Sequence, residues 1–253
     1  MKPIQIYKPT ATAGVIFGVA FFMTLIVMAF MLYVAFFKIS KADAEDKSML
    51  TITFSVLTVL LLFFGFLIRK HRKKTKFYLY ENGVKIGKNG NMISFENIQD
   101  IFLFLTGRYI GNGYNNLAFR TSENDEWNLI PATYSGNINV FLDRYYAPRV
   151  RFLENEMQRG NAAKFLRKTK NSTIISTARA FIKNQQTETI RLDEHSIFIG
   201  NQTFDYAGLL PLYMNGEKFE VKTVDNKLIA SLHYVDVMSF DVFREIYNHK
   251  TKK

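Results

Sequence analysis

From Pro9 to Phe37 the chain runs for 29 positions without a charged side chain, and from Ser48 to Ile68 for 21 more. At about 1.5 Å of rise per helical residue, either run crosses a hydrocarbon core of about 30 Å. The pattern therefore predicts two membrane helices, over about 11–37 and 48–68, in a hairpin domain 1–76. A secretory signal has an apolar region of about 7–15 residues, so a cleaved signal is not expected from a run about twice that length. Beyond residue 76 the pattern changes to short strand-like runs broken by turn residues. They are Phe77–Tyr80, Val84–Ile86, Met92–Phe95 and Ile101–Leu105, then a hairpin of Asn116–Thr121 and Glu126–Ile130 around Ser122-Glu123-Asn124-Asp125. Asn137–Tyr146 reads as a helix, with Ile138, Phe141 and Tyr145 on one face. Pro148 is expected to end or kink it before a second helical stretch, Arg149–Lys168.

The same order recurs after residue 186. Leu79-Tyr80-Glu81-Asn82-Gly83-Val84-Lys85-Ile86-Gly87 compares with Leu192-Asp193-Glu194-His195-Ser196-Ile197-Phe198-Ile199-Gly200. Ile93-Ser94-Phe95-Glu96-Asn97-Ile98 is set against Thr203-Phe204-Asp205-Tyr206-Ala207-Gly208, and the helix bearing Phe141 and Tyr145 against one over 240–249 bearing Phe243 and Tyr247. Self-similarity of this kind points to a duplicated α+β unit, a first domain over 77–168 with a helical extension and a second over 169–253.

Charge sets the expected topology. Of the 33 basic residues, five fall in 1–47 and six in the stretch Arg69, Lys70, Arg72, Lys73, Lys74 and Lys76, leaving 22 basic against 19 acidic residues over 77–253. The formal net charge of +11 thus reports mostly a juxtamembrane cluster. A nucleic-acid footprint would spread over a folded face, and no nucleic-acid partner is expected. The loop between the spans balances three Lys with three acids, so the Lys/Arg excess predicts both termini on the cytoplasmic side of the membrane. The cluster also suits anionic phospholipid, at about 1 kcal/mol per basic residue near the surface.

Neither span holds an acidic, basic or His residue, which argues against transport and for anchoring. Gly14 and Gly18 form a G-x-x-x-G spacing, and Thr24, Thr51, Thr53, Ser55 and Thr58 add small hydroxyl residues suited to close helix packing.

Chemistry is sparse. Cys is absent, which excludes disulfides, thiolate catalysis and sulfur-ligated zinc. None of the four His forms a recognised metal pair at helical spacing: Glu245 and His249 come nearest, and one acid with one His is an incomplete metal site. No catalytic residue, metal or cofactor is expected; an adjacent carboxylate pair such as Asp125 and Glu126 is the weakest rival, as a hydrolase. Trp127 is expected in the core or rim of a sheet. The loop around Arg108, Tyr109 and Tyr114 offers aromatic area with little charge and is the candidate partner-binding loop. The basic residues from Arg149 to Lys170 suggest a solvated helix face, or else a second membrane- or acid-facing surface.

The run F-Y-L-Y-E-N-G-V-K-I with M-I-S-F-E-N-I-Q-D-I behind a two-helix hairpin and basic flank resembles the bacterial pleckstrin-homology-like domains attached to small membrane proteins. Glu81, Gly83 and Val84 match the family's first turn, and Ile93, Phe95 and Ile98 its strand end. The resemblance covers 77 to about 146 and, more weakly, 188–249. It implies a membrane α-helical hairpin plus cytoplasmic α+β, with two pleckstrin-homology-like antiparallel sheet or barrel modules, each closed by a C-terminal helix. These motifs are hairpin and core residues that specify fold. The expected function is a non-enzymatic membrane-anchored protein whose modules bind a protein, or anionic lipid. The alternative is an immunity protein that neutralises a secreted bacterial toxin by direct binding.

Overall fold

The computed structural model describes residues 2–38, 44–104, 116–169 and 186–252. Two compact units result: Lys8–Lys76, and Phe77–Lys253 together with Met1–Tyr7.

The first unit is the helical pair α1 (Ala11–Lys38) and α2 (Ala44–Arg72). Gly14–Phe36 has a mean hydropathy of 2.7 and Ser48–Arg72 one of 2.5, and neither segment is covered by other parts of the chain. Both are long and apolar enough to cross a membrane, and a bilayer is the solvent such a surface suits. The hydroxyls turn onto their own helices: Thr24 donates to the Ala20 carbonyl at 2.8 Å and Thr58 to that of Phe54 at 2.8 Å. Hydroxyls satisfied this way carry no unpaired polar group into hydrocarbon. Gly14 lies against the His71 ring of α2, 3.2 Å from where a Cβ would sit, whereas Gly18 faces open space.

The second unit is α+β with antiparallel sheets. Its strands are β1 (Gln5–Pro9), β2 (Phe77–Tyr80), β3 (Gly83–Ile86), β4 (Met92–Ser94), β5 (Asp100–Phe104), β6 (Asn116–Arg120), β7 (Asn128–Ile130) and β8 (Tyr134–Ser135). Helix α3 (Ile138–Gln158) follows, then β9 (Ala163–Lys168), β10 (Thr187–Leu192), β11 (Ser196–Ile199), β12 (Gln202–Asp205), β13 (Tyr213–Asn215), β14 (Lys218–Lys222), β15 (Leu228–His233) and α4 (Phe240–Thr251). Sheet orders are β4-β3-β2-β1-β8, β5-β6-β7, β12-β11-β10-β9 and β13-β14-β15. The sheets stay open, and among the described residues none closes into a barrel.

The element order repeats. Each half has a leading strand (β1, β9), a three-strand meander (β2–β4, β10–β12), a 3-10 turn (Phe95–Asn97, Tyr206–Gly208), a second meander (β5–β7, β13–β15) and a closing helix (α3, α4). Leu79 and Leu192 occupy matching buried positions, as do Val84 and Ile197. The turn starts correct one detail of the sequence comparison: the buried Phe95 corresponds to Tyr206, because the second copy reaches its turn two residues sooner. On this register, the α1–α2 pair is an insertion between the first and second strands of the first copy.

Two elements depart from the sequence reading. β1, unsuspected in the polar N-terminus, pairs Gln5 with Leu79, Ile6 with Tyr78 and Tyr7 with Phe77. Its register depends on Tyr7, fully buried, whose hydroxyl donates to the Asn137 carbonyl at 2.9 Å. Gly136 makes room for that ring: its φ is +116°, and a Cβ there would lie 2.7 Å from Tyr7 Cδ1. Residues 163–168, expected as helix, form β9 and pair along their whole length with β10. Helix α3 runs on through Pro148 to Gln158 before that strand. Pro148 leaves one helical carbonyl without its usual donor, but burial of Phe141 and Tyr145 before it and Val150, Leu153 and Met157 after it holds both turns on the same core.

One aromatic-rich core joins the halves. Phe141 meets Phe95 edge-on at 5.7 Å and Phe119 at 5.4 Å, while Phe243 of α4 meets Phe165 at 5.4 Å. Such pairs add about 0.5–1.5 kcal/mol each beyond area burial. Strand β6 is buried at every position, with Leu117 and Phe119 on this core and Ala118 in a smaller cluster with Phe102, Phe104, Leu166 and Met238. Trp127 is half-buried against the smaller cluster.

Candidate functional site

The six clustered basic residues sit where α2 ends and the chain turns toward β2. Arg69, Lys70 and Arg72 occupy the last turn of α2, where cations complement the partial negative charge of a helix C-terminus. Two backbone bonds, Lys73 N to the Arg69 carbonyl at 3.1 Å and Lys74 N to the His71 carbonyl at 3.3 Å, extend the turn. All six side chains, through Lys76, are exposed. None has an acidic partner among the described residues, and Lys70 Nζ lies 5.9 Å from the centre of the Phe66 ring. The result is a cluster of exposed cations on the last turn of α2 and just beyond it.

The partner-binding loop with Arg108, Tyr109 and Tyr114 lies outside the described residues. Other residues that the sequence singled out have structural surroundings. Asp125 is an exposed turn residue whose carboxylate accepts from the Thr121 and Ser122 hydroxyls, which hold its pKa below the usual range. Glu126 is exposed beside it, and the two form no shared site. His249 places Nδ1 2.7 Å from Glu154 of α3 and Nε2 3.0 Å from Glu245, so it ties α3 to α4. No group of three metal-ligating side chains occurs among the described residues.

The expected basic helix of 149–170 is not a single surface. Arg149 is buried: its Nη1 donates to the Glu96 carbonyl, and its guanidinium lies 5.3 Å from the Phe152 ring centre. Arg159 pairs with Glu156 at 2.8 Å, Arg167 with Glu188 at 2.6 Å and Lys168 with Asp236 at 3.2 Å. Lys164 stays exposed and lines, with Arg149, Gln99, Glu96 and Glu123, an open cleft of about 800 Å3. Its acids and bases balance.

Sequence reasoning missed a buried polar group behind that cleft. Asp100, 1% exposed, accepts from Arg120 Nε at 2.7 Å, and Arg120 also donates to the Glu123 carbonyl and lies 4.7 Å from the Trp127 ring centre. Burial pushes the Asp100 carboxyl up, against the pull of the Arg120 guanidinium. Tyr145 reaches from α3 to Ser239 Oγ at 3.0 Å, and burial raises its phenol. Ser239 in turn exchanges two bonds with Ile101 of β5: its N–H donates to the Ile101 carbonyl at 2.8 Å, and its Oγ accepts from the Ile101 N–H at 2.9 Å. Ser239 holds φ at 54°, an unusual angle outside glycine, and these three bonds keep it there. An acid and a base twenty positions apart, facing each other across a strand pair, was the available signal for Asp100 and Arg120.

No family model matches the chain, and no curated protein or solved structure matches it either.

Proposed function

We propose that the chain is a non-enzymatic, membrane-anchored binding protein that presents two pleckstrin-homology-like modules at the cytoplasmic face of a bacterial inner membrane, where they bind a protein. The observation that carries the reading is one strand-and-helix order used twice on a chain with two helices long and apolar enough to span a bilayer. Such an arrangement suits a doubled interaction surface beside a membrane. The pairing of β1 with β2 supports the proposed topology: these strands precede α1 and follow α2, and strands that pair in one sheet lie on one side of a bilayer. The exposed basic cluster supports a further contact, with anionic phospholipid at Arg69, Lys70, Arg72, Lys73, Lys74 and Lys76.

The test is affinity purification of the detergent-solubilised chain from its native host, comparing wild type with a variant carrying Arg108→Ala, Tyr109→Ala and Tyr114→Ala. One stoichiometric protein with wild type, lost with the variant, is the expected result; a secreted toxin in that role would make the chain an immunity protein. No specific protein in either sample, with binding of the six-basic cluster to anionic vesicles intact, would refute protein binding as its task.

A further inference from the structure

Arg149 is a buried cation without a counter-ion. It is 6% exposed, and its guanidinium is held by the Glu96 carbonyl and the face of Phe152, both neutral. It makes no ion pair among the described residues, and its buried Nε meets no acceptor. The buried carboxylate of Asp100 feels its charge but is bonded to Arg120. A charge taken out of water and left unpaired is strongly destabilising, so buried charges are paired. The little of Arg149 that is exposed opens on the cleft of about 800 Å3, a volume in the range of small-molecule sites. Lys164 stands on the same lining, exposed, and its cross-strand neighbour is a further cation, Arg191. The acids of the lining, Glu96 and Glu123, are exposed and form an ion pair with neither Arg149 nor Lys164.

The repeat supplies an internal comparison. A second cleft, of about 460 Å3, lies at the equivalent place: the first is bordered by the turn Phe95–Asn97 and α3, the second by the turn Tyr206–Gly208 and α4. Matching Tyr145 with Tyr247 puts Thr251 where Arg149 stands, and Thr251 is neutral and donates to the Tyr247 carbonyl at 3.1 Å. The cation beside it, Lys250, meets the Glu194 carboxylate at 2.8 Å. Glu194 answers Glu81 in the repeat, and Glu81 is taken by Arg144. The second cleft thus neutralises its lysine with a carboxylate from its own chain, whereas the first has none left for Arg149.

We propose that the cleft at Arg149 binds a small-molecule carboxylate carried on an apolar body, with the carboxylate on the Arg149 guanidinium beside Lys164 and the body against Met92, Ile93, Phe152 and Leu153. A planar guanidinium matches a carboxylate in shape and charge. A single negative charge also suits a lining that carries Glu96 and Glu123, which repel a dianion such as phosphate more strongly. Such a site goes beyond protein binding and does not depend on it.

The experiment titrates 4-fluorophenylacetate into the full chain in nanodiscs, read by fluorine NMR line broadening, with empty nanodiscs as the background. The neutral 4-fluorophenylacetamide and the dianionic 4-fluorobenzylphosphonate test the charge. Arg149→Gln removes the buried cation, and Lys164→Glu reverses the exposed one at a position that carries little risk to folding. Lys250→Ala is the control in the second copy, and Trp127 fluorescence verifies that each variant is folded. Saturable binding of the carboxylate is expected, at least about tenfold weaker with Arg149→Gln and at least about threefold weaker with Lys164→Glu, and unchanged with Lys250→Ala. The amide should bind at least about tenfold more weakly than the carboxylate. Should Arg149→Gln fail to fold, Lys164→Glu and the amide decide. Wild type without saturable carboxylate binding, an amide or phosphonate bound as tightly as the carboxylate, or binding indifferent to Lys164→Glu would each overturn the site.

Discussion

Tyr7 is the residue on which the N-terminal strand depends, and its contribution separates into two parts. The ring is fully buried and edge-on to Phe141, with centroids 6.5 Å apart. Truncating a buried aromatic to Ala costs about 3–5 kcal/mol through lost burial and the cavity left behind. The hydroxyl adds one bond, to the Asn137 carbonyl, worth about 1 kcal/mol net. That carbonyl keeps a second donor, Gln5 Nε2 at 2.9 Å, so removal of the hydroxyl leaves no orphaned acceptor. Tyr7→Phe is therefore expected to cost about 1 kcal/mol and Tyr7→Ala about 4 kcal/mol. The assay is urea unfolding of the detergent-solubilised chain, followed by the fluorescence of Trp127, the single tryptophan. With a slope of about 2 kcal/mol per molar, the midpoints should fall by about 0.5 M and about 2 M. Equal shifts for the two variants, or a Tyr7→Ala shift under about 0.5 M, would mean that β1 is not part of the cooperative unit, and the pairing of Gln5–Tyr7 with Phe77–Leu79 would lose its energetic basis.

Three further outcomes follow from the same geometry. Asp100→Ala leaves Arg120 buried without its counter-ion and should destabilise the unit by about 3–5 kcal/mol in the same urea assay, whereas loss of an exposed pair would cost under about 1 kcal/mol. Because burial raises the Asp100 carboxyl above its unfolded value, its protonated form stabilises the fold at low pH. That contribution should disappear as pH rises from the ordinary aspartate range through the raised value, and a carbon-detected NMR titration showing a depressed Asp100 midpoint would contradict it. Gly136→Ala forces a Cβ into the Tyr7 ring at a positive φ, so the midpoint should fall by at least as much as for Tyr7→Phe, and a neutral result would show that the ring does not sit against Gly136.

How far the sequence could be read depended on whether a feature is local. The two apolar spans rest on consecutive residues and on helix length, and they lie where the charge-free runs placed them. The two-residue turn Glu81-Asn82 between β2 and β3 was equally legible, as was the pattern Leu79…Val84 repeated in Leu192…Ile197, because turn chemistry and period-two burial act over a few positions. β1 was not legible: its five residues look like a polar lead-in, and only Leu79, Tyr78 and Phe77, about 70 positions away, make them a strand. β9 was read as the end of a helical stretch running from Arg149 to Lys168, yet it is pairing with Thr187–Leu192 that decides its conformation. Pro148 signalled a break that packing on both sides of it prevented. The polar residues divide in the same way. The juxtamembrane cations are a run, visible in one line of sequence. Asp100, Arg120, Arg149 and Ser239 acquire meaning only when β5, β6, α3 and the start of α4 meet, since burial and hydrogen-bond partners are properties of the assembled unit. The sequence alone determined the two long apolar helices, the antiparallel α+β character and the repeated order of elements, all set by short-range periodicity. The tertiary structure alone decided that the α1–α2 pair interrupts the first copy, that both copies share one core, and that Ser239 docks on Ile101 of β5, because each depends on contacts between segments far apart in the chain.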